Sequence, residues 1–218
     1  MPKMGQEPLF GTPKQLPRGP HQLPREEVVA SQRARLLAAL VDVVAESGYQ
    51  HATINEIGRR AGVSPRTFYE HFDGKLACLL AAFDVFSETL TRRIAEQLGA
   101  PGLTLEDTVH RALRVYLLTL QENPAAARTF LFQMHGTDPV ARARRREASL
   151  RIATALRVFF EGRHPDAPQL LPDSAYLAIV YGVREVVCDR LDGNYSRPLV
   201  ELTEELSSFV LAAARGAR

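Results

Sequence analysis

Cysteine is scarce in this sequence, so neither a disulfide framework nor a cysteine-rich metal site is expected. The two cysteines, Cys78 and Cys188, lie in apolar helical stretches with no second ligand at a metal-binding spacing. We therefore expect reduced thiols, no metal and no cofactor. Common enzyme motifs are also missing, including a Gly-x-Ser-x-Gly elbow, a His-Glu-x-x-His pair and a phosphate-binding glycine loop. An all-α enzyme that uses one cysteine is the alternative, with little in the sequence to support it.

Long apolar runs are lacking as well. No stretch approaches the roughly 20 apolar residues that a membrane-spanning helix needs, and the first ten residues lack the charged-then-apolar order of a signal peptide. We expect a cytoplasmic protein with no membrane partner. The net charge is only +2, so affinity for a nucleic acid would have to come from a local basic patch.

Residues 1–25 combine repeated prolines with glycine, glutamine and basic side chains. Such a composition cannot bury a core, so this segment is predicted to be a disordered basic arm. Its basic residues could follow a DNA backbone or enter a minor groove, as other N-terminal arms do. A merely solvated tail is the other interpretation.

From residue 26 onward, apolar residues recur at helical spacing and are interrupted by glycine and proline. No strand-like alternation and no internal repeat are present in the sequence. The pattern predicts an all-α fold with about nine helices.

Residues 53–75 contain two short helical patterns separated by a glycine. Thr53 is suited to cap the first helix, and Ser64 to cap the second, with Pro65 at its first position. Gly62 can adopt the positive φ that a sharp turn requires. This arrangement predicts a helix-turn-helix.

The second of these short helices has a buried edge and a polar edge. Phe68 and Phe72 are four residues apart and should face inward, whereas Arg66, Thr67 and Tyr69 should face outward. A short helix of this kind fits the major groove of DNA, where arginine can read guanine. An ordinary surface helix is the alternative, since such corners are common in all-α proteins.

The segment AESGYQHATINEIGRRAGVSPRTFYEHFDGKLACLLAAF resembles the DNA-binding region of the TetR/AcrR family of bacterial transcriptional regulators. The resemblance runs without a gap over residues 31–83 and includes the Ala-Gly-Val-Ser turn and the aromatic pair that follows it. One departure is Gly58, where the family usually has alanine.

The resemblance implies a set of side chains at the DNA. It assigns phosphate contacts to Thr53, Tyr69, His71 and Lys75, and positions near base edges to Asn55, Ser64, Arg66 and Thr67. Lys75 falls in the first turn of a predicted helix, where a cation is poorly matched to the helix dipole. A contact with a phosphate would account for that placement.

The resemblance further implies a DNA-binding domain over residues 26–72 and a regulatory domain over residues 73–218 that binds an effector and dimerises. The candidate effector-binding residues are His110, Tyr116, Phe130, Met134, His135, Phe159, Tyr176 and Tyr181. Apolar walls with few polar groups suit a small, largely apolar effector, although any one of these residues could simply be part of the core. The arginine run from Arg142 to Arg146 could neutralise an anionic ligand such as a coenzyme A thioester, or could be a solvated face.

The last two predicted helices carry apolar stripes, and the resemblance implies that they pair with a second subunit. The candidate interface residues are Val180, Val183, Val187, Leu191, Leu202, Leu206 and Phe209. A homodimer would present two reading helices to a pseudo-palindromic operator in double-stranded DNA. The resemblance therefore implies a repressor that is released by a ligand. A structural DNA-bending protein is a third class, but it would not need so many apolar helices after the reading helix.

Overall fold

The computed structural model describes residues 9–10, 24–98, 102–135, 138–163, 171–192 and 197–215. Within these ranges the protein consists of helices and turns without a strand, which confirms the predicted all-α fold. The nine α-helices of these ranges are α1 (Arg25–Ser47), α2 (Ile54–Ala61), α3 (Pro65–His71), α4 (Lys75–Leu98), α5 (Leu105–Glu122), α6 (Pro124–Ala127), α7 (Pro139–Arg163), α8 (Asp173–Asp192) and α9 (Thr203–Arg215). A π-helical turn (Arg128–Phe132) and a 3-10 turn (Gln133–His135) follow α6, and a second 3-10 turn (Leu199–Leu202) precedes α9.

The chain forms two compact units. The first contains Met1–Phe86 and Asn123–Thr137, and the second contains Ser87–Glu122 and Asp138–Arg218. The segment between α5 and α7 therefore belongs to the same unit as the helix-turn-helix. These units differ from the predicted domains over residues 26–72 and 73–218, which remain a prediction about function.

The core of the first unit is built by one apolar face from each of α1 to α4. On α1, Leu36, Leu40 and Val44 recur every four residues and are fully buried, as expected for an amphipathic helix. Ile57 of α2 and Leu79 of α4 are also completely buried. Burial of a side chain of this size contributes roughly 1.5–3 kcal/mol, so this face holds the short α2 against the long α1.

The segment from α6 to the 3-10 turn completes this core. Thr129 is buried, and its hydroxyl donates a hydrogen bond of 3.0 Å to the carbonyl oxygen of Val41 on α1. The ring of Phe130 lies 4.9 Å from that of Phe86 and 5.7 Å from that of Phe83, between ring centroids. Phe130 is therefore a central residue of the first unit.

Two residues of the predicted arm also lie in the first unit. The backbone N–H of Leu9 donates to the side-chain oxygen of Asn123 over 2.9 Å, and the ring of Phe10 lies 6.2 Å from that of Phe130. Most of the disorder predicted for residues 1–25 falls on residues 1–8 and 11–23, which lie outside the described residues.

In the second unit, α5 packs against α9 and the 3-10 turn before it, while α7 packs against α8. A reciprocal cap begins α5: the Asp107 N–H donates to the Thr104 hydroxyl, and the Thr104 N–H donates back to the Asp107 carboxylate. Leu117 and Leu120 of α5 are fully buried. Over the described parts of the chain, no helix is long and apolar enough to cross a membrane.

Candidate nucleic-acid interface

The two helices of the helix-turn-helix begin at the predicted caps. The Thr53 hydroxyl accepts from the Glu56 N–H over 3.2 Å, and the Ser64 hydroxyl accepts from the Thr67 N–H over 3.1 Å. Gly62 ends α2 in the left-handed region, with φ of 68°. These local interactions satisfy backbone donors that a helix terminus would otherwise leave unpaired, and they set the angle between α2 and α3.

Gly58, where the resembled family usually has alanine, contacts the backbone of the turn between α2 and α3. The Val63 N–H donates to the Gly58 carbonyl oxygen over 2.9 Å, which folds the turn back on α2. A Cβ atom on Gly58 would lie 3.1 Å from the Val63 carbonyl oxygen. Glycine therefore permits a close approach of the turn, at the expense of helix propensity.

Aromatic side chains fix the position of α3. Phe68 is fully buried, and its ring lies 5.7 Å from the rings of both Tyr69 and Phe72. The guanidinium of Arg33, on α1, lies 4.6 Å from the centroid of the Phe72 ring, within the range of a cation–π contact. A helix as short as α3 is not stable alone, so these contacts determine its orientation.

The opposite side of α3 is exposed. The Arg66 side chain is 92% exposed, and its Nε atom lies 3.5 Å from the carboxylate of Glu70, one helical turn away. Tyr69 is the large aromatic residue on this exposed side. Among the predicted DNA contacts, the exposed residues are Thr53, Asn55, Ser64, Arg66 and Tyr69, and the half-buried ones are Thr67, His71 and Lys75.

Lys75 has partners within the subunit. Its ammonium donates to the carbonyl oxygens of Tyr49 and Ala52 over 2.6 and 2.7 Å, and lies 4.3 Å from the centroid of the Tyr49 ring. Burial lowers the pKa of the Lys75 amine. Since an ammonium has three donors, one remains for a phosphate. The two hydrogen bonds of Lys75 also connect the loop after α1 with the start of α4. Replacement of Lys75 would therefore disturb the fold as well as any DNA contact.

His71 connects α3 with α1. Its Nε2 atom lies 3.1 Å from the side-chain oxygen of Gln32. Burial, and secondarily the charge of Arg33, lowers the pKa of His71 below its ordinary value. The imidazole is therefore neutral near pH 7, and Nε2–H can donate to Gln32.

The contribution of α1 to this surface was not predicted. Besides Gln32 and Arg33, α1 supplies Arg35, whose guanidinium donates to the Ala61 carbonyl oxygen at the end of α2 over 2.6 Å. Two nearby arginines of α2 are already paired with carboxylates: Arg59 with Glu56, and Arg60 with Glu46. The positive charge that this surface can present therefore comes from Arg33, from Lys75 and from Arg66, whose ion pair with Glu70 is exposed and weak. Clustering of polar residues in the first half of α1 is the signal in the sequence that could have indicated this role.

The candidate effector-binding residues fall in both units. Phe130 and Met134 are buried in the first unit, which also contains His135 in its 3-10 turn. The others lie in the second unit, where His110 pairs with Glu204 over 3.0 Å and the Tyr176 and Phe159 rings both lie near Phe160. Burial, and secondarily Cys188, raises the pKa of Tyr116. Tyr181 lies in electrostatic range of Arg145. Effector binding by these residues stays a prediction.

The candidate interface residues are mostly turned into the subunit. Val183, Val187, Leu202 and Leu206 are buried, and Val187 is 0% exposed. Val180 and Leu191 are half-buried. Phe209 is 44% exposed. Val186, which was not among the predicted residues, is 36% exposed. Phe209 and Val186 are therefore the large apolar residues that the described parts of α8 and α9 leave exposed, while the buried residues stabilise the subunit itself. Contact of this surface with a second copy stays a prediction.

Comparisons with known proteins agree with this architecture. Residues 36–82 match the family described as bacterial regulatory proteins, tetR family. The transcriptional activator FasR of Mycolicibacterium smegmatis is 36% identical over 78 residues, which cover 36% of this chain and 34% of that protein. The chain thus spans about one third of the length of the curated relatives that it matches.

Two solved structures share the fold over most of the chain. The fatty acid degradation regulator FadR of Bacillus halodurans has a TM-score of 0.75 at 20% identity, covering 84% of this chain and 96% of that one. FadR of Bacillus subtilis, solved in complex with stearoyl-CoA, has a TM-score of 0.72 at 18% identity, covering 84% and 98%. At these identities the likeness concerns the fold.

The match over residues 36–82 contains the helix-turn-helix and places it among the DNA-binding segments of bacterial regulatory proteins. The resemblance to the tetR family that the sequence indicated is confirmed over these residues. The similar proteins named above are described as regulators.

Proposed function

We propose that the protein is a cytoplasmic, homodimeric repressor that binds a pseudo-palindromic operator and is released by a small effector. The observation that carries this proposal is the exposed side of α3, where Arg66 and Tyr69 face outward from a helix anchored by Phe68. One short helix reads few bases. Two such helices about 34–36 Å apart would occupy successive major grooves on one side of the DNA.

A fatty acyl compound is the effector class that the solved relatives favour. One relative is named a fatty acid degradation regulator and another was solved with stearoyl-CoA. A largely apolar ligand also suits the predicted effector-binding residues. Such a ligand would release DNA if it bound the low-affinity conformation more tightly, with a coupling free energy of typically 1–3 kcal/mol.

The name of FasR favours a second candidate, an effector-controlled activator. Both candidates bind an operator, but they differ in the direction of the transcriptional response. A reporter driven by the promoter next to the protein's own gene separates them: deletion of the regulator raises expression for a repressor and lowers it for an activator.

Arg66→Ala is expected to weaken binding to the operator by about 1–3 kcal/mol and to reduce discrimination between matched and mismatched sites. The ion pair of Arg66 with Glu70 is fully exposed to solvent and contributes little to stability, so the guanidinium is free to exchange it for a base edge. Fluorescence anisotropy with operators that differ at single base pairs measures both effects.

Arg92→Ala is the matched control, because Arg92 is another exposed arginine paired with a glutamate one helical turn away. Its operator affinity should equal that of the wild-type protein. If Arg66→Ala lost the same free energy on every sequence, Arg66 would contact only the backbone and its assigned base contact would be wrong.

The operator affinity is also expected to increase as the pH falls, through His71. Burial keeps the pKa of His71 low in the free protein, whereas a nearby phosphate would favour the charged imidazolium and raise it. Binding would then take up a proton, so lower pH favours the complex. Each pKa unit by which DNA binding raises the pKa of His71 corresponds to at most about a tenfold gain in affinity, acquired as the pH falls through the pKa of the complex.

The variants His71→Gln and His51→Gln test this pH dependence. His51 is an exposed histidine near the same turn, with a hydrogen bond to the Ser47 carbonyl oxygen. The gain at low pH should disappear in His71→Gln and persist in His51→Gln. An unchanged pH profile in His71→Gln would show that this side chain serves only to connect α3 with α1.

A further inference from the structure

The arginine run on α7 does not form a uniform solvated face. Arg142 and Arg146 are exposed. Arg145 instead lies on the same helical face as Ala141, Ala148 and Ser149, three small residues that are all buried. Arg145 itself is half-buried, so a long cationic side chain lies at the margin of this buried face, next to small neighbours.

Three guanidinium groups of the second unit, those of Arg145, Arg184 and Arg190, carry buried donors with no acceptor among the described residues, and the first two are considered together here because they act on each other electrostatically. In Arg145 these are Nε and Nη1, and in Arg184, on α8, the donor is Nε. The Arg184 side chain is largely buried, and its Nη2 atom reaches the carboxylate of Glu185 over 3.1 Å. Glu185 itself is mostly exposed, so this pair lies at the edge of the cluster. Unpaired buried donors of a charged group are costly.

The two arginines are also electrostatic neighbours. Burial is the main cause that lowers the pKa of Arg145, and the charge of Arg184 is the second. Tyr181, Cys188 and Glu185 oppose this lowering, and Glu185 is the one carboxylate among the groups that act on Arg145. Two like charges therefore lie in electrostatic range of each other, and the carboxylate that acts on Arg145 is already bound to Arg184. Asp189 is a second acid of this region, since it acts on Cys188.

Tyr116, on α5, adds a hydrogen-bond donor to the same region. Arg184 and Cys188 both act on the Tyr116 phenol, whose pKa is raised mainly by burial. The phenol therefore stays protonated at neutral pH and can donate a hydrogen bond. Helices α5, α7 and α8 each contribute to this group, which we call the arginine cluster: Tyr116, Arg145, Tyr181, Arg184 and Cys188.

We propose that the arginine cluster is an internal binding site for an oxyanion, a carboxylate or a phosphate, carried by an amphiphilic ligand. A planar guanidinium can bind either group through two parallel hydrogen bonds, which would satisfy the buried donors and separate the two positive charges. The buried alanines of α7 provide apolar surface for an alkyl chain next to that group, and the Tyr116 hydroxyl can donate a hydrogen bond to the oxyanion. This inference rests on the proposed effector response, because it names the polar group that an effector would carry.

The test compares three ligands of equal chain length, decanoate, decyl phosphate and decanol, by titration calorimetry without DNA. The wild-type protein should bind at least one of the two anions about tenfold or more tightly than the alcohol, as expected for a charge-assisted bidentate contact. Arg145→Met should reduce this preference to about twofold or less. Arg142→Met, which removes an exposed arginine of the same run, should retain it.

A preference for decyl phosphate over decanoate would identify a phosphorylated ligand, and the reverse preference a free acid. Equal affinity of the wild-type protein for all three ligands, including no binding by any, would overturn the proposal. So would an anion preference that survives in Arg145→Met.

The melting temperature of the ligand-free variants provides a second measurement. Because Arg145 has unpaired buried donors, Arg145→Met should melt at the same temperature as the wild type or higher. A large decrease, with the anion preference kept, would identify a structural arginine instead. Operator release is measured separately: an Arg145-dependent anion preference without release would support the binding site and contradict the proposed effector response.

Discussion

Val186→Arg is expected to convert the proposed dimer into monomers and to lower operator affinity by at least about 100-fold. Val186 on α8 and Phe209 on α9 are the apolar residues that these helices leave exposed, and the Phe209 ring lies directly over Gly182 of α8. In a two-fold symmetric interface one substitution acts twice. Burying two unpaired guanidinium groups costs several kcal/mol, and about 2.7 kcal/mol already corresponds to 100-fold.

Val158→Arg is the matched control, because Val158 is 58% exposed on α7 and is not part of this surface. Light scattering should find a dimer for the wild type and for Val158→Arg, and a folded monomer for Val186→Arg. A dimeric Val186→Arg protein with full operator affinity would place the interface elsewhere. Val187 is unsuitable for this test, since its complete burial means that a charge there would unfold the subunit.

Phe68→Ala is expected to lower the free energy of unfolding by about 3–5 kcal/mol, the usual cost of removing a fully buried phenylalanine ring. Phe68 has no exposed surface and contacts the rings of both Tyr69 and Phe72. Because α3 depends on these contacts for its position, operator binding should be lost along with stability. Urea unfolding monitored by circular dichroism measures the change.

Tyr69→Ala separates stability from recognition. The Tyr69 side chain is exposed, so its removal should change the free energy of unfolding by only about 0.5 kcal/mol, while the operator affinity decreases. A destabilisation of Tyr69→Ala equal to that of Phe68→Ala would mean that the two edges of α3 do not have the separate roles assigned to them.

The helix-turn-helix could be predicted from the sequence because its determinants are local. The caps at Thr53 and Ser64, the turn at Gly62 and the buried edge at Phe68 depend on neighbours a few residues away. Apolar periodicity and glycine punctuation likewise predicted the all-α fold.

Long-range partners could not be predicted in this way. Lys75 donates to carbonyl groups more than twenty residues earlier, and His71 pairs with Gln32 across the first unit. Periodicity identifies an inward face but not the element that this face meets. For the same reason the sequence could not distinguish Val187, which packs inside its own subunit, from Val186, which remains exposed.

Hydrogen bonds connect the segment between α5 and α7 with the start of the helix-turn-helix. The side-chain oxygen of Gln133 accepts from the Tyr49 N–H over 3.4 Å, while the Tyr49 carbonyl oxygen accepts from Lys75. Lys75 in turn holds Ala52, the residue before the cap of α2. The two peptide groups that flank Tyr49 thus connect Gln133 with the start of the helix-turn-helix. A hydrogen bond contributes about 0.5–1.5 kcal/mol net, which overlaps the 1–3 kcal/mol typical of allosteric coupling, so an effector that broke this link in only one of the two binding states would change the proposed operator affinity severalfold.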